Sequence, residues 1–283
     1  MVKLKFQFWL FALGILLAVS VAVPANATTY LSHFSKDQYL MTKKTIHTTN
    51  SHYKNIKITI PKGTVLKSSR LTKSSKTKHP YLTINLNRLH WSLRKAIIQS
   101  SHNVTSTSWI WAKTSTFKKV HAPAYQTYFK QPYTGTIGGL IWEGTKAFPL
   151  RQQYKIENCL RVTDDGYLEY FTGYDYWVNK MPAPHSAAKV EKFVKKGKAD
   201  YLYTASKVSG LNMKQVAKKG QHRYRLKITK TDQHMATVNP AQDKKYDESV
   251  TISIRYYVGG KKFYVNSQVI EPWSDLTEIF VAI

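Results

Sequence analysis

Residues 249–266 read SVTISIRYYVGGKKFYVN. Two alternating runs flank Gly259-Gly260, and paired glycines accept the positive φ that a two-residue hairpin turn requires. Pairing outward from the turn sets Tyr256 opposite Phe263, Ile254 opposite Val265, Arg255 opposite Tyr264 and Tyr257 opposite Lys262. One face is then apolar, joined by Val250, Ile252 and Val258, while the other is cationic and aromatic. Such a hairpin predicts one wall of a small barrel or sandwich.

The rest of the chain repeats the theme. Residues 154–162 and 167–171 flank Asp164-Asp165-Gly166, where a type I′ turn would set Leu160 opposite Phe171 and Arg161 opposite Tyr170. Residues 54–60 alternate through Ile56, Ile58 and Ile60, turn at Pro61-Lys62-Gly63 and return over 64–67. Residues 81–87 alternate again. Trp109-Ile110-Trp111 reads as a strand with its tryptophans in the core, as does Trp177 in its aromatic segment. Helix is scarce. Residues 89–98 fit a helix through Leu89, Leu93 and Ile97, or a strand through Leu89, Trp91 and Leu93. Ser186 would cap a helix over 187–196 with Val190, Phe193 and Val194 as its stripe, and a second short helix is expected around 212–219. The fold class is therefore mainly β, in two or three small barrel or sandwich units. The expected division is 28–130, 131–197 and 198–283, the first boundary resting on the cluster of Pro123, Pro132, Gly135, Gly138 and Gly139.

Residues 1–27 read as an N-terminal signal peptide: Lys3 and Lys5, an apolar run, then Ala25 and Ala27 as the small residues of a cleavage site. An uncleaved membrane anchor is the alternative, the run being near the ~20 residues that span a bilayer. The chain carries 43 Lys and Arg against 16 Asp and Glu. Residues 28–142 hold 18 basic side chains and one acid, Asp37. Such an imbalance points to a polyanionic partner, and export directs it to the cell envelope rather than to intracellular nucleic acid. With Cys159 as the sole cysteine no intrachain disulfide forms.

No stretch spells out a reaction. Cys159 lies inside a strand pattern without a neighbouring His, which reads as an inert thiol. Asp164 and Asp165 read as turn formers. Glu169 and Asp175 lie in the aromatic segment 167–177, which suits stacking on sugar rings; as the catalytic pair of a glycan hydrolase they have no support in the spacing, and a hydrolase would need such a pair. The ten histidines form no metal-binding spacing, and no phosphate loop or other cofactor motif occurs. The expected contacts are Arg70, Lys73, Lys76 and Lys78 in a basic exposed loop, 70–79, with Arg255 and Lys262 beside the aromatic Tyr257 and Tyr264.

Residues 58–67, ITIPKGTVLK, resemble the strand–PKGT–strand opening of SH3-like modules in secreted proteins of lactic-acid bacteria. Residues 260–267, GKKFYVNS, resemble the closing strand of those modules and of S-layer-type wall-binding domains. Residues 161–171, RVTDDGYLEYF, resemble a strand pair of surface proteins in the same bacteria. The resemblance implies SH3-like barrels that retain the protein by binding wall polymer, although the tandem repeats of such proteins are missing. The expected function is thus that of a secreted, cell-wall-associated, non-catalytic protein. It would bind an anionic, teichoic acid-like polymer, peptidoglycan or an anionic membrane surface, without a cofactor. The alternatives are a glycan hydrolase with an unrecognised carboxylate pair and a surface adhesin for glycans.

Overall fold

The computed structural model describes residues 28–32, 38–98, 107–128, 140–144, 156–175, 182–239 and 249–270. Residues 1–27, where the signal peptide is expected, the Pro/Gly cluster apart from Pro123, and Trp177 lie outside them. The described residues are mainly β, with one α-helix.

The N-terminal half builds β1 (Gln38–Thr42), β2 (Ile46–Thr49), β3 (Lys57–Ile60), β4 (Val65–Lys73), β5 (Pro80–Asn85), β6 (Thr107–Trp111) and β7 (Phe117–Val120), with α1 (Trp91–Ile98) between β5 and β6. Five strands form an antiparallel sheet in the order β6-β5-β4-β1-β7. The β2–β3 hairpin and α1 cover one face of it, so that Ile46, Ile58 and Ile60 pack with Leu40, Leu66 and Leu82. Period four wins at α1 because Leu89 and Leu93 both enter this core while Trp91 stays half-buried. The Pro61-Lys62-Gly63 turn does reverse the chain, with Gly63 at φ 83°, but 57–60 and 64–67 do not pair. β3 pairs β2, whereas β4 pairs β1 and β5, so the turn carries the chain from one sheet to the other.

The C-terminal half is a closed barrel. Its strands are β8 (Ile141–Glu143), β9 (Ile156–Val162), β10 (Tyr167–Asp175), β11 (Ser186–Lys196), β12 (Ala199–Thr204), β14 (Tyr224–Asn239), β15 (Ser249–Val258) and β16 (Lys261–Ile270); β13 (Lys214–Gln215) adds a short edge to β14. Each pairs antiparallel with the next, and the β12–β14 and β16–β8 ladders close the ring of eight. Eight strands leave an interior that side chains can fill, and Leu160, Leu168, Leu202, Leu226, Val258 and Phe263 fill it. The segment between β12 and β14 folds across one mouth, burying Val208, Leu211 and Met213. Gly210 makes this possible, since a Cβ there would lie 2.2 Å from the buried Tyr170 ring.

Several expectations change. The Gly-Gly hairpin forms in the expected register, Tyr256↔Phe263, Ile254↔Val265, Arg255↔Tyr264 and Tyr257↔Lys262. The 163–166 turn holds one residue more than a type I′ turn. Gly166 takes φ 87° and Thr163 N–H donates to Tyr167 O at 2.9 Å, so Leu160 faces Tyr170 and Arg161 faces Glu169. Residues 187–196 form β11, not a helix. A bulge between Val190 and Lys192 breaks the alternation, so the apolar positions Val190 and Phe193 stand three apart, as on a helix. The helix expected around 212–219 is an extended segment containing β13. The boundary at 197 disappears as well, because β11 and β12 form one hairpin of the barrel around Gly197.

Candidate binding site

On β5 and β6 the register pairs Leu82 with Ile110 and Ile84 with Ser108 on the covered face, so Tyr81 and Trp111 are paired on the opposite one, with Thr83 and Trp109 beside them. The two tryptophans expected in the core are thus turned out, Trp109 48% and Trp111 42% exposed. Alternation puts both tryptophans on the face opposite Ile110, and at this strand only the Ile110 face is covered.

The aromatic rings are contiguous. Tyr81 lies 5.7 Å from Trp109 and 6.3 Å from Trp111 between ring centroids. His79 meets the edge of Trp111 and stacks on Tyr30 at 4.4 Å, and His52 flanks Trp109. Lys73, Ser74 and Ser75 complete a groove of about 450 Å³ with Tyr81, Trp109 and Trp111. The basic loop is shorter than expected, because β4 runs on to Lys73. What remains, 74–79, is held by Ser74 N–H on His79 O at 3.0 Å and Lys78 N–H on Ser74 O at 2.9 Å, with Lys78 itself at φ 58°. Lys76 and Lys78 project from this loop into solvent. Arg70 stands in β4 opposite Thr83; its side chain lies outside the described residues. The groove therefore offers flat aromatic area on one wall and the Lys73 ammonium and two serine hydroxyls on the other, with Lys76 and Lys78 exposed on the adjoining loop, a combination that stacks a ring and neutralises an anion.

The other expected patch is not a surface of that kind. Tyr264 points to the outer side of the barrel as alternation requires, yet it is buried with Trp142, Cys159, Phe171 and Tyr174. Arg255 is half-buried, its guanidinium on the Met235 sulfur. Tyr257 is half-buried and Lys262 exposed. A cation-aromatic row does cross the barrel elsewhere, from Lys192 to Tyr203 to Arg225 to Lys214 on adjacent strands. The Lys192 ammonium lies 5.7 Å from the Tyr203 ring and the Arg225 guanidinium 4.9 Å from that of Tyr201. The alternation of tyrosines at 201 and 203 with basic residues at 223, 225 and 227 was its signal in the sequence.

The reactive candidates are engaged in structure. Cys159 is fully buried, and burial pushes its thiol well up. Glu169 is fully buried between the two units. Its Oε1 accepts from Arg94 Nη1 and from Trp91 N–H, both at 2.9 Å, and its Oε2 from Arg161 Nε at 3.0 Å. Burial, and then the nearby charge of Arg161, push the Arg94 guanidinium down to about 10. The two arginines also hold the carbonyls of the segment before α1, Arg161 that of Asn87 at 2.6 Å and Arg94 that of Leu89 at 2.6 Å. Asp164 and Asp165 do more than turn the chain: Asp164 takes a two-point bond from Arg88, and Asp165 one from His90. The acids of the first barrel hairpin thus clamp the N-terminal half to the barrel. The side chain of Asp175 lies outside the described residues.

Among the described residues, no group of three or more His, Cys, Asp or Glu could hold a metal ion, and no helix is long and apolar enough to cross a membrane. Comparison with protein-family models, with curated proteins and with solved structures finds no match.

Proposed function

We propose that this protein is exported and binds an anionic glycopolymer of the cell envelope, of the teichoic acid type, in the groove of the N-terminal sheet. Sugar rings stack on Trp109, Tyr81 and Trp111, while Lys73, Lys76 and Lys78 meet the phosphates or carboxylates. The observation that carries this reading is the exposed aromatic ribbon with Lys73 in its groove and Lys76 and Lys78 on the adjoining loop, in a half of the chain with almost no acids. Each stacked ring contributes on the order of 1 kcal/mol. Each nearby cation adds about 1 kcal/mol, within a Debye length of ~8 Å. The proposed SH3-like character would belong to this N-terminal half, since residues 260–267 serve in an eight-stranded barrel.

The hydrolase alternative loses Glu169, whose two carboxylate oxygens are already bonded in a site closed to solvent. The adhesin alternative differs in salt dependence. Purified protein is expected to sediment with teichoic acid-bearing walls and to come off as salt rises, whereas stripped walls should retain little. Trp109→Ala/Trp111→Ala should weaken wall binding by about tenfold or more without changing the salt slope, the aromatic contribution being uncharged. Lys73→Ala/Lys76→Ala should flatten that slope. Equal retention on stripped walls, insensitive to salt, would instead favour a neutral glycan.

A further inference from the structure

The junction between the two halves holds a second cluster that polymer binding leaves unused. Ser92 Oγ meets His90 Nε2, and His90 Nδ1 meets Asp165 Oδ2. A hydroxyl, an imidazole and a carboxylate in this order are a nucleophile, its base and the group that fixes the base's orientation. Such an arrangement is recognised by geometry, wherever the residues fall in the chain.

The base is held by Asp165 and by Tyr167. The Asp165 side chain is 4% exposed, and its second oxygen accepts the His90 backbone N–H at 3.1 Å. The Tyr167 ring stacks on the imidazole with centroids 4.1 Å apart and 19° between planes. Arg88 pins the neighbouring Asp164 through both carboxylate oxygens. Ser92, by contrast, is exposed, in the first turn of α1. There Trp91 N–H is taken by Glu169 and Leu93 N–H by the His90 carbonyl, while the helix itself offers no acceptor to the Ser92 N–H. That N–H, at the positive end of the helix, lies beside the hydroxyl and can receive developing negative charge on an attacked acyl oxygen. Lys95, one turn along and also exposed, adds a positive charge beside the site.

We propose that Ser92, His90 and Asp165 form an acyl-transfer site that hydrolyses a carboxylic ester. Ser92 Oγ bonds to the acyl carbon as its proton passes to His90 Nε2. The bond from that carbon to the alcohol oxygen breaks, and the alcohol leaves with the same proton. Water then adds to the acyl-Ser92 ester through His90, releasing the carboxylic acid and restoring the hydroxyl. Ser92 is the catalytic nucleophile and His90 the general base; Asp165 positions His90.

The test treats the purified protein with a fluorophosphonate probe and, separately, with p-nitrophenyl acetate. One adduct is expected, mapping to Ser92 and absent from Ser92→Ala, with ester hydrolysis falling about 100-fold or more in that variant. His90 and Asp165 also join the two halves, so Ser92→Ala is the deciding change: it is exposed, leaves the His90–Asp165 contact in place and should keep the parent's urea midpoint. Trp109→Ala/Trp111→Ala should label normally, because this activity does not depend on the groove. No adduct at Ser92 in the folded protein, or ester turnover in Ser92→Ala equal to the parent's, would overturn the assignment.

Discussion

Glu169→Ala should lower the stability of the protein by about 3–5 kcal/mol, the usual consequence of removing one partner from a buried charge network. Glu169 and Arg94 are completely buried, and Arg161 is 1% exposed. The carboxylate is what balances the two guanidinium groups. Without it they would repel each other where water cannot screen them, and Trp91 N–H would lose its acceptor. Glu169→Gln keeps the shape and one acceptor. If it falls nearly as far as the alanine variant, charge rather than packing is the cause. The network joins α1 to β9 and β10, so it also couples the two halves. The parent should unfold in urea as a single transition, and Glu169→Ala should separate this into two. Midpoints unchanged in both variants would mean that the junction contributes little and that each half is stable alone.

The opposite sign is expected at Asp200. Its side chain is buried in the barrel with 1% of the residue exposed, and neither carboxylate oxygen has a hydrogen-bond partner among the described residues. Lys195 stands opposite on β11 without bonding to it, and the Tyr256 phenol is the neighbour whose ionisation its charge opposes. Asp200→Leu, of similar length and apolar, should raise stability at neutral pH by about 1–3 kcal/mol, the penalty of an unsatisfied buried polar group. Burial holds the Asp200 carboxyl above its usual value of 3.8, so the native state binds its proton more tightly than the unfolded chain does. The stability linked to that proton is fully present below the ordinary carboxylate range and is lost as pH rises through the raised native value. Urea midpoints measured from about pH 3 to neutrality should therefore show parent and variant close in acid and diverging upward. Curves that stay parallel across the range would mean that the carboxylate is solvated after all.

How much could be read in advance depended on how local the determinant was. Gly259-Gly260 fixes a turn of known length, and the register of β15 against β16 follows from it residue by residue. Asp164-Asp165-Gly166 admits two turn lengths, and the longer one shifted the pairing by one residue. That single step set Arg161 opposite Glu169 and made the buried network possible. At β11 one bulge changed an alternating pattern into a helical one. The exposed groove escapes the sequence for a related reason: Trp109 and Trp111 look like core residues until the β2–β3 hairpin and α1 are seen to cover the other face of β6, where Ile110 lies. The junction left no local signal, because Arg94 and Glu169 lie 75 residues apart.

By itself the sequence determined the excess of lysine and arginine, the alternation that makes the chain mainly β, and the Gly-Gly hairpin. These depend on composition and on the stereochemistry of neighbouring residues. Only the tertiary structure decided that β12 meets β14 to close a barrel, that Tyr264 is covered while Trp109 and Trp111 are not, and that His90 finds both Ser92 and Asp165. The reason is physical. Alternation assigns a side chain to one of two faces, but whether that face meets water or protein depends on residues far away in the chain.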